Sequence, residues 1–225
     1  MDGNGRWAKA RGLSRLEGHR QGATVVRQIT TYCREIGIRY LTLYSFSVQN
    51  WRRPPEEISG LMLLLEEYCQ KERDTLLKNQ IRLHTIGDQS RMPESTKAAL
   101  QALQAETQSH DKMTLSLALG YGGREELVQA VQALMQTYHG DPQNIDVTSI
   151  EKFLYTRELP DPDLVIRTSG ELRLSNFMLW QMAYSELHFT PTLWPDFSRE
   201  DFAKALLDYS QRERRFGATS EQMQP

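Results

Sequence analysis

The first residues of the chain combine side chains and backbone flexibility that suit a phosphate group. Asp2, Gly3, Asn4, Gly5 and Arg6 follow one another. Glycines adopt positive φ without steric cost, so successive N–H groups can point into one concavity, and an arginine guanidinium matches phosphate oxygens. A carboxylate beside an anion requires a hard cation such as Mg²⁺ between them. The segment therefore predicts a metal–diphosphate site, with a plain surface turn as the alternative, because Asp-Gly and Asn-Gly are frequent turn dipeptides.

A second group of residues suited to anions lies much later in the chain. Arg167 follows a short apolar run, and Arg173 and Ser175 come soon after it. Arginines bind phosphate oxygens in a bidentate manner, so this segment could hold a diphosphate. A solvated loop with one arginine paired to Glu171 is the alternative. Two anion clusters that face one crevice would indicate two phosphorylated substrates.

Three further groups of residues are candidates on weaker grounds. Arg15 and His19 are four residues apart at the start of a helical pattern, so they share a face and could reach the anion of the first loop. Residues 47–53 form a third polar loop, in which Trp51 either contacts a ligand or caps the core. Glu186 has apolar neighbours, where a carboxylate is costly unless it is paired or bound to a metal; a salt bridge is the more frequent case.

The elements that must position these loops alternate between strand and helix. Strands are predicted at residues 40–46, 81–86, 113–119, 164–166 and 186–189. Helices are predicted at residues 16–36, 54–79, 93–109, 125–138, 176–184 and 198–216, with a short helix that opens on a capping box at 148–151. The alternation predicts an α/β fold with a mainly parallel central sheet flanked by helices. The polar loops then meet at the carboxyl ends of the strands, where such sheets bind ligands.

The predicted organisation is one domain over residues 1–225 with a loose tail at 217–225. One loop departs from the pattern, because each other functional loop follows a strand whereas only Met1 precedes Asp2. The expectation is either that the true start lies upstream or that the sheet lacks a central member.

Composition excludes several classes of protein. The net charge is −2, from 27 Lys and Arg against 29 Asp and Glu, so a general positive field for nucleic acid is absent. Cys33 and Cys69 lack metal-ligand spacing and predict no disulfide framework, which fits a reducing cytoplasm. The apolar run 61–65 is far shorter than the ~20 residues needed to cross a bilayer, and a polar start predicts no signal peptide. The run could line a channel for an apolar ligand or belong to the core, and peripheral contact with a membrane surface stays open.

Short motifs along the whole chain resemble those of the cis-prenyltransferases, and in particular of the bacterial branch of that family. They occur in the same order and are highly specific as a set. The motifs are Met1 to Ala8, Gly18-His19-Arg20, Tyr44 to Ser47 with Asn50-Trp51, Arg53-Pro54, Ile86-Gly87-Asp88, Tyr121 to Arg124, Asp163 to Thr168, Ser175-Asn176-Phe177, Glu186-Leu187 and Leu193 to Phe197.

The resemblance implies a Mg²⁺-dependent enzyme that condenses isopentenyl diphosphate onto an allylic diphosphate such as farnesyl diphosphate, forming cis double bonds. It implies an α/β fold rather than the all-α fold of the trans-prenyltransferases, a homodimer, and a long polyprenyl diphosphate that serves as a lipid carrier in cell-wall synthesis. It also implies a strand before Asp2 that this sequence lacks.

The resemblance also implies roles for individual residues. Asp2 would be the metal-linked catalytic carboxylate, and the allylic diphosphate would be held by Gly3, Asn4, Gly5, Arg6, Trp7, Arg15 and His19. The loop that closes over the substrates would contain Ser47, Val48, Gln49, Asn50, Trp51 and Arg53, with Asn50 as the catalytic proton acceptor. Isopentenyl diphosphate would be bound by Arg167, Arg173, Leu174 and Ser175, and Mg²⁺ would also be bound by Glu186 across the dimer interface.

The sequence departs from the family pattern at several positions. Val48-Gln49 stands where Ser-Glu is usual, Gly120 replaces an Asn, and Ser169 and Leu172 replace a Gly and a polar residue. A neutral amide such as that of Asn50 is a poor base, so orientation of a water or a diphosphate oxygen is the expected role. Two other functions remain as alternatives: a non-catalytic scaffold subunit of the same family, and another phosphate-handling α/β enzyme such as a phosphatase, although no nucleophile or two-metal carboxylate cluster is visible.

Overall fold

Two parallel β-sheets form the centre of the molecule in a computed structural model that describes residues 1–213. The larger sheet contains β1 (Tyr40–Ser47), β2 (Ile81–Ile86) and β3 (Met113–Tyr121) in the order β1-β3-β2. The smaller sheet pairs β4 (Leu164–Arg167) with β5 (Glu186–Phe189). Every strand pair within residues 1–213 is parallel, which confirms the α/β prediction.

Helices connect the strands and cover the larger sheet. In chain order they are α1 (Asn4–Lys9), α2 (Arg15–Glu35), α3 (Pro55–Lys78), α4 (Glu94–Thr107), α5 (Gly123–Thr137), α6 (Val147–Glu151) and α7 (Arg199–Ser210). α2 begins at a capping box in which Ser14 Oγ accepts from Glu17 N, while the Glu17 carboxylate accepts from Ser14 N. The cap fixes the start of α2, one turn before His19.

β3 is the central strand of the core, and its side chains are buried on both faces. Leu115 and Leu117 on one face are at most 2% exposed, and Ser116 and Ala118 on the other face are at most 1% exposed. α2 contributes Val25 and Ile29 to the same cluster. The sequence of residues 113–119 nevertheless alternates, with Met and Leu on one face and the smaller Thr114, Ser116 and Ala118 on the other.

The five strands form two separate sheets, and β1 and β4 are not paired with each other. The first residues of the chain are hydrogen-bonded to the segments that follow β4 and β5. Asp2 N donates to Thr168 Oγ1 at 2.9 Å, and Trp194 N donates to Asp2 O at 2.9 Å. These bonds fix the first residues against the carboxyl end of β4.

Three predicted elements differ from the structure. Residues 176–184 form turns instead of a helix, because Asn176 and Met178 have φ of 62° and 39° and left-handed backbone cannot continue an α-helix. α6 starts before residue 148, since Asp146 provides its cap by accepting from Ser149 N. The predicted helix 198–216 ends at Ser210, and its last three residues, together with the tail 217–225, lie outside the described residues.

Two predictions about cysteines and membranes can be compared with the described residues. Cys33 and Cys69 are buried and are free thiols. Burial raises the pKa of the Cys33 thiol to about 12. In residues 1–213 no helix has both the length and the apolar character of a bilayer-spanning segment.

Candidate active site

A cavity of about 1300 Å³ lies between the two sheets and α2 and α3. Its mouth is polar and lies at the carboxyl ends of β1 and β4. Its interior is lined by apolar side chains, among them Val26, Ile29, Leu43, Phe46, Leu61, Met62, Leu65, Leu117 and Leu119. A polar mouth above an apolar interior suits an amphiphilic ligand with a charged head and a hydrocarbon chain.

Asp2 and Arg167 meet at the mouth of this cavity. Arg167 Nη2 lies 2.9 Å from Asp2 Oδ2, and Arg167 Nη1 donates to Ser175 Oγ at 2.8 Å. Nη1 also donates to the carbonyl of Arg173. The side chain of Arg167 is only 14% exposed, whereas that of Asp2 is 45% exposed. Arg167 is therefore held rigidly, with the more accessible carboxylate on its outer side.

Arg6 and Arg173 lie on either side of one carboxylate. Arg6 Nη2 is 3.2 Å from Glu171 Oε1, and Arg173 forms a salt bridge with the other oxygen of Glu171. Arg6 also donates to the carbonyl and the hydroxyl of Ser169. The two clusters predicted separately from the sequence are thus joined at one rim, and the predicted pairing of an arginine with Glu171 is also present.

The backbone of the first segment, residues 2–6, differs from the arrangement predicted for it. Gly3 has φ +107°, as a concavity of N–H groups requires, but Gly5 is inside α1 and has no positive φ. The short helix was missed because two glycines and an asparagine disfavour helix locally, while packing against α2 stabilises it. A Cβ on Gly3 would lie 2.9 Å from Leu193 Cδ2, so the turn into α1 requires glycine.

Arg15 and Arg53 share one carboxylate beside His19. Arg15 Nε lies 3.6 Å from Glu57 Oε1, and Arg53 Nη1 lies 3.0 Å from the same oxygen. All three basic residues line the cavity. Burial, followed by the positive charge of Arg53, lowers the pKa of His19 to about 4. His19 is therefore neutral at pH 7 in this structure, and its ring can form a hydrogen bond with a ligand in the cavity.

The loop of residues 47–53 is a 3-10 turn, Val48–Arg52, that follows β1. Asn50 Oδ1 accepts from Ser47 N at 2.9 Å, so its amide is fixed by the turn itself. Ser47, Gln49, Asn50 and Arg53 line the cavity. Trp51 packs edge-on against Phe46 with ring centroids 4.7 Å apart, which is the core-capping alternative.

Not every residue predicted from the sequence reaches the cavity. Trp7, Val48, Trp51 and Glu186 are absent from its described lining, whereas the other predicted residues belong to it. Trp7 Nε1 donates to Asp196 Oδ1 at 2.6 Å, and the guanidinium of Arg11 stacks 4.3 Å from its ring. These contacts hold the indole on the outer surface of α1.

Glu186 is at the opposite end of the smaller sheet from Asp2. It pairs in register with Leu164 at the start of β4, whereas Asp2 contacts the residues at its end, roughly 10 Å away for three residues of strand. Glu186 Oε2 accepts from Arg212 Nη1 at 2.8 Å, which is the salt-bridge alternative. Within one chain the two acidic residues do not share a ligand.

Two cavity residues were assigned no role from the sequence. Asn176 forms hydrogen bonds to the start of α5, and Phe177 stacks on Tyr44 with ring centroids 4.5 Å apart. Both line the cavity beside Ser175. Asn176 and Phe177 share a sequence motif with Ser175, and this motif could have indicated a role for them. The residues that they contact are far away in sequence, so the contacts themselves could not be predicted.

The mouth of the cavity offers one carboxylate suited to Mg²⁺. Mg²⁺ takes oxygen ligands in an octahedron and usually combines one or two carboxylates with substrate phosphates and water. Asp2 is half exposed and lies among arginines that attract phosphate. In residues 1–213 no group of three or more His, Cys, Asp or Glu side chains converges, so a protein-only metal cage is not formed there. The donor set fits a cation bound jointly by Asp2 and a phosphate ligand.

Comparison with known proteins shows the family. The family model described as "Putative undecaprenyl diphosphate synthase" matches residues 1–217. An isoprenyl transferase of Fusobacterium nucleatum is 49% identical over 217 residues, covering 96% of this chain and 93% of that protein.

Two solved structures are also similar. Lavandulyl diphosphate synthase from Lavandula x intermedia, in complex with dimethylallyl diphosphate, has a TM-score of 0.93 and 38% identity and covers 96% of this chain and 95% of its own. A chain from Campylobacter jejuni described as a "probable undecaprenyl diphosphate synthase" has a TM-score of 0.78 and 31% identity. The match covers 88% of this chain and 92% of the Campylobacter chain. With its parallel sheet, the chain belongs to the undecaprenyl diphosphate synthase family of cis-prenyltransferases and is a prenyltransferase.

Proposed function

We propose that this protein condenses isopentenyl diphosphate in cis onto an allylic diphosphate, with farnesyl diphosphate as the primer, to give a long-chain polyprenyl diphosphate. The observation that carries the proposal is the pair of arginine clusters at the mouth of one apolar cavity. Arg6 and Arg173 flank Glu171 there, and Arg167 contacts Asp2. Two diphosphates bound at this rim would lie side by side with their hydrocarbon chains directed inward.

The cluster around Arg6 suits the allylic diphosphate. Breaking the allylic C–O bond leaves positive charge on carbon and negative charge on the departing diphosphate, which fixed cationic donors stabilise. Arg6 and Arg15 supply the charge, and neutral His19 supplies a hydrogen bond. A structural relative binds dimethylallyl diphosphate, which is itself an allylic diphosphate.

The cluster of Arg167, Arg173 and Ser175 suits isopentenyl diphosphate. Its role is to hold the alkene next to the allylic carbon, so that an encounter in solution becomes a reaction within one complex. The alkene electron pair forms the new carbon–carbon bond as the diphosphate leaves. Loss of a proton from the adjacent carbon then gives the new double bond.

The proton requires an acceptor near the turn after β1. Asn50 lines the cavity, but its Oδ1 already accepts from Ser47 N, and a neutral amide is a poor base. We therefore assign to Asn50 the orientation of a water or of a diphosphate oxygen that takes the proton. Full activity of Asn50→Ala in initial-rate assays would exclude this role.

Mg²⁺ would be held by Asp2 together with diphosphate oxygens, and when bound it would neutralise charge on the departing diphosphate. Asp2 is suited to this because its oxygens lie at the accessible side of Arg167. Because Glu186 is at the far end of β4 and β5, a role for it in binding Mg²⁺ would require a site shared with a second copy of the chain.

A homodimer is the assembly that we propose, and an exposed apolar stripe on α5 supports it. Val128, Val131 and Met135 are 58%, 43% and 76% exposed and are spaced by three and four residues, so they share one face. Val131→Glu with Met135→Glu should yield a monomer in light scattering coupled to size-exclusion chromatography. Gln101→Glu, at an exposed position on α4, is the control, and an unchanged mass in the double variant would contradict this interface.

The proposed reaction is tested with farnesyl diphosphate, labelled isopentenyl diphosphate and Mg²⁺. Label should pass into a butanol-extractable product, whose length is measured by chromatography after dephosphorylation. Arg173→Ala should raise the KM for isopentenyl diphosphate by at least about tenfold, because a charge-assisted bond to phosphate is lost. Arg73→Ala, which removes an exposed arginine on α3, is the control.

The two alternatives predict different results in the same assay. No product together with retained pyrophosphate binding would favour a non-catalytic scaffold subunit. Release of inorganic phosphate without chain elongation would favour a phosphatase. Replacing farnesyl diphosphate with dimethylallyl diphosphate in the assay shows how the length of the primer affects kcat/KM.

Release of a long apolar product would require contact with a membrane surface. Added lipid vesicles should therefore accelerate product release.

A further inference from the structure

We propose that Asn176 is a positioning residue that fixes the Arg167–Arg173–Ser175 cluster by anchoring it to the first turn of α5. This inference rests on the proposed function, because it assigns a role in binding the diphosphate of isopentenyl diphosphate. Asn176 contacts no residue of that cluster through its side chain in the described contacts. It acts through the backbone that it shares with Ser175.

Asn176 caps α5 from a distant part of the chain. The N-terminal residue before the helix is Gly122, which has no side chain with which to cap it. Asn176 O accepts from Gly123 N at 2.7 Å, and Asn176 Oδ1 accepts from Arg124 N at 2.9 Å. Two N–H groups that have no partner inside the helix are thereby satisfied by one residue.

The amide group makes a third bond that defines its orientation. Asn176 Nδ2 donates to Glu125 Oε2 at 2.7 Å, in the same turn of α5. The side chain therefore uses its donor and its acceptor at once, which a carboxylate of the same shape could not do without repelling Glu125. A Cβ on Gly122 would lie 2.7 Å from Asn176 Nδ2, so glycine there leaves room for the amide.

The segment that Asn176 anchors is conformationally strained. Ser175 and Asn176 have φ of 52° and 62°, and consecutive left-handed residues other than glycine are unfavourable unless the surroundings hold them. In this conformation Ser175 Oγ accepts from Arg167 Nη1, and the carbonyl of Arg173 accepts from the same nitrogen. Release of Asn176 from α5 would let the strained pair relax and misplace the hydroxyl and the guanidinium.

The next residue fixes the other side of the same segment. Phe177 stacks on Tyr44, whose hydroxyl donates to Tyr121 O at 3.0 Å. Residues from β1 and β3 thus hold the chain just after Asn176. The carboxyl end of β3 and the start of α5 together set where the second anion cluster lies.

The first experiment measures steady-state kinetics of Asn176→Gly. Glycine tolerates the positive φ and keeps the backbone carbonyl bond, so only the side-chain bonds are removed. We expect the KM for isopentenyl diphosphate to rise at least tenfold, while the KM for the allylic diphosphate stays within twofold and kcat within threefold. An unchanged KM for isopentenyl diphosphate in a wild-type background that is active would overturn the inference.

A matched control separates this effect from a general loss of helix capping. Asn79 is the C-cap of α3, where its Nδ2 donates to Thr75 O at 2.8 Å, and it is not among the cavity residues. Asn79→Ala should lower the melting temperature without changing either KM. An equal rise in the KM for isopentenyl diphosphate in Asn79→Ala would mean that stability alone explains the result, and would overturn the inference.

The second experiment reverses the hydrogen bond between two residues. Asn176→Asp alone places two carboxylates together and should raise the KM for isopentenyl diphosphate at least tenfold. Adding Glu125→Gln restores a donor–acceptor pair at the original net charge, and the KM should return to within threefold of the wild type. Failure of the double variant to recover would overturn the inference even if Asn176→Gly does not fold.

The failure of the proposed function is distinguishable from the failure of this inference. A wild-type protein that does not incorporate isopentenyl diphosphate contradicts the proposed function before any variant is made. An active wild type whose KM for isopentenyl diphosphate is unchanged by substitution of Asn176 contradicts only the positioning role.

Discussion

Arg167 Nη2 lies 2.9 Å from Asp2 Oδ2, although the two residues are 165 positions apart in the chain. This ion pair joins the segment that carries Arg6 to the loop that carries Arg173. Because Asp2 is also the carboxylate suited to a cation, both proposed diphosphates and the metal would meet around one pair of side chains. Charge is concentrated at the mouth of a cavity whose interior is apolar.

Asp2→Asn should abolish most of the activity while leaving the protein folded. The amide keeps the shape of the side chain but cannot balance a divalent cation or the charge of Arg167. We expect kcat to fall by at least about 100-fold, a size typical for the loss of one charge-stabilising group. Initial rates at saturating Mg²⁺ measure the effect.

Asp74→Asn is the control for this change, because Asp74 is an exposed carboxylate on α3 that also pairs with an arginine. Its rate should equal that of the wild type. Activity of Asp2→Asn within threefold of the wild type would contradict the metal-linked role of Asp2.

Gly3→Ala should destabilise the protein more than Gly12→Ala. Both glycines have positive φ, but a Cβ on Gly3 would lie 2.9 Å from Leu193 Cδ2, whereas a Cβ on Gly12 would meet no atom within 4 Å. We expect Gly12→Ala to lower the free energy of unfolding by about 1 kcal/mol through backbone strain, and Gly3→Ala by about 2 kcal/mol or more. Urea denaturation measures both, and equal losses would contradict the role of the close packing.

Ser169→Gly should be better tolerated than Ser169→Ala. Ser169 has φ +76°, which strains any residue with a Cβ, and its hydroxyl accepts from Arg6 at 2.5 Å. Both substitutions remove that bond, but only glycine relieves the strain. We expect the free energy of unfolding of the glycine variant to exceed that of the alanine variant by about 1 kcal/mol. Thermal or urea unfolding of the two variants measures this difference, and a more stable alanine variant would contradict the prediction.

His19 should make stability depend on pH below neutrality. Burial and the charge of Arg53 lower its pKa to about 4 in the folded protein, against 6.5 for the unfolded chain. Between these values the unfolded chain binds more protons, so the free energy of unfolding falls as the pH drops from 6.5 towards 4, by up to about 3 kcal/mol. Nearby Arg15 adds to this shift, while Glu57 opposes it.

His19→Gln removes the titrating group and should flatten this part of the stability curve. The measurement is the difference between the two proteins in urea denaturation at pH 7, 6, 5 and 4.5, since other groups titrate equally in both. If the free energies of unfolding of the wild type and of His19→Gln change in parallel between pH 7 and 4.5, His19 is not buried in its neutral form.

The family, the α/β class and the parallel sheet could be predicted because they depend on local sequence. In residues 113–119 Met or Leu alternates with a smaller residue, a period of two that is typical of a strand, and these residues lie within β3. The capping residues of α2 fixed the start of that helix, so Arg15 and His19 share the face that lines the cavity. The site assignments themselves remain predictions that the experiments above test.

Other features depend on contacts between distant segments and were wrong or missed. A helix was predicted at residues 176–184 from local preference, but the bonds of Asn176 to α5 hold the backbone in turns instead. The role of Trp7 in substrate binding stays a prediction, but the indole is absent from the described cavity lining, and Asp196 and Arg11 hold it on the outer face of α1.

The sequence by itself determined the five strands and most of the longer helices, since periodicity and capping act over a few residues. It also indicated that the charged loops after β1 and β4 lie at the carboxyl ends of parallel strands. Only the tertiary structure decided that Asp2 meets Arg167 and that Glu171 lies between Arg6 and Arg173. Such pairings depend on how whole elements pack, and a distance of a few ångströms across the fold leaves no periodic trace in the chain.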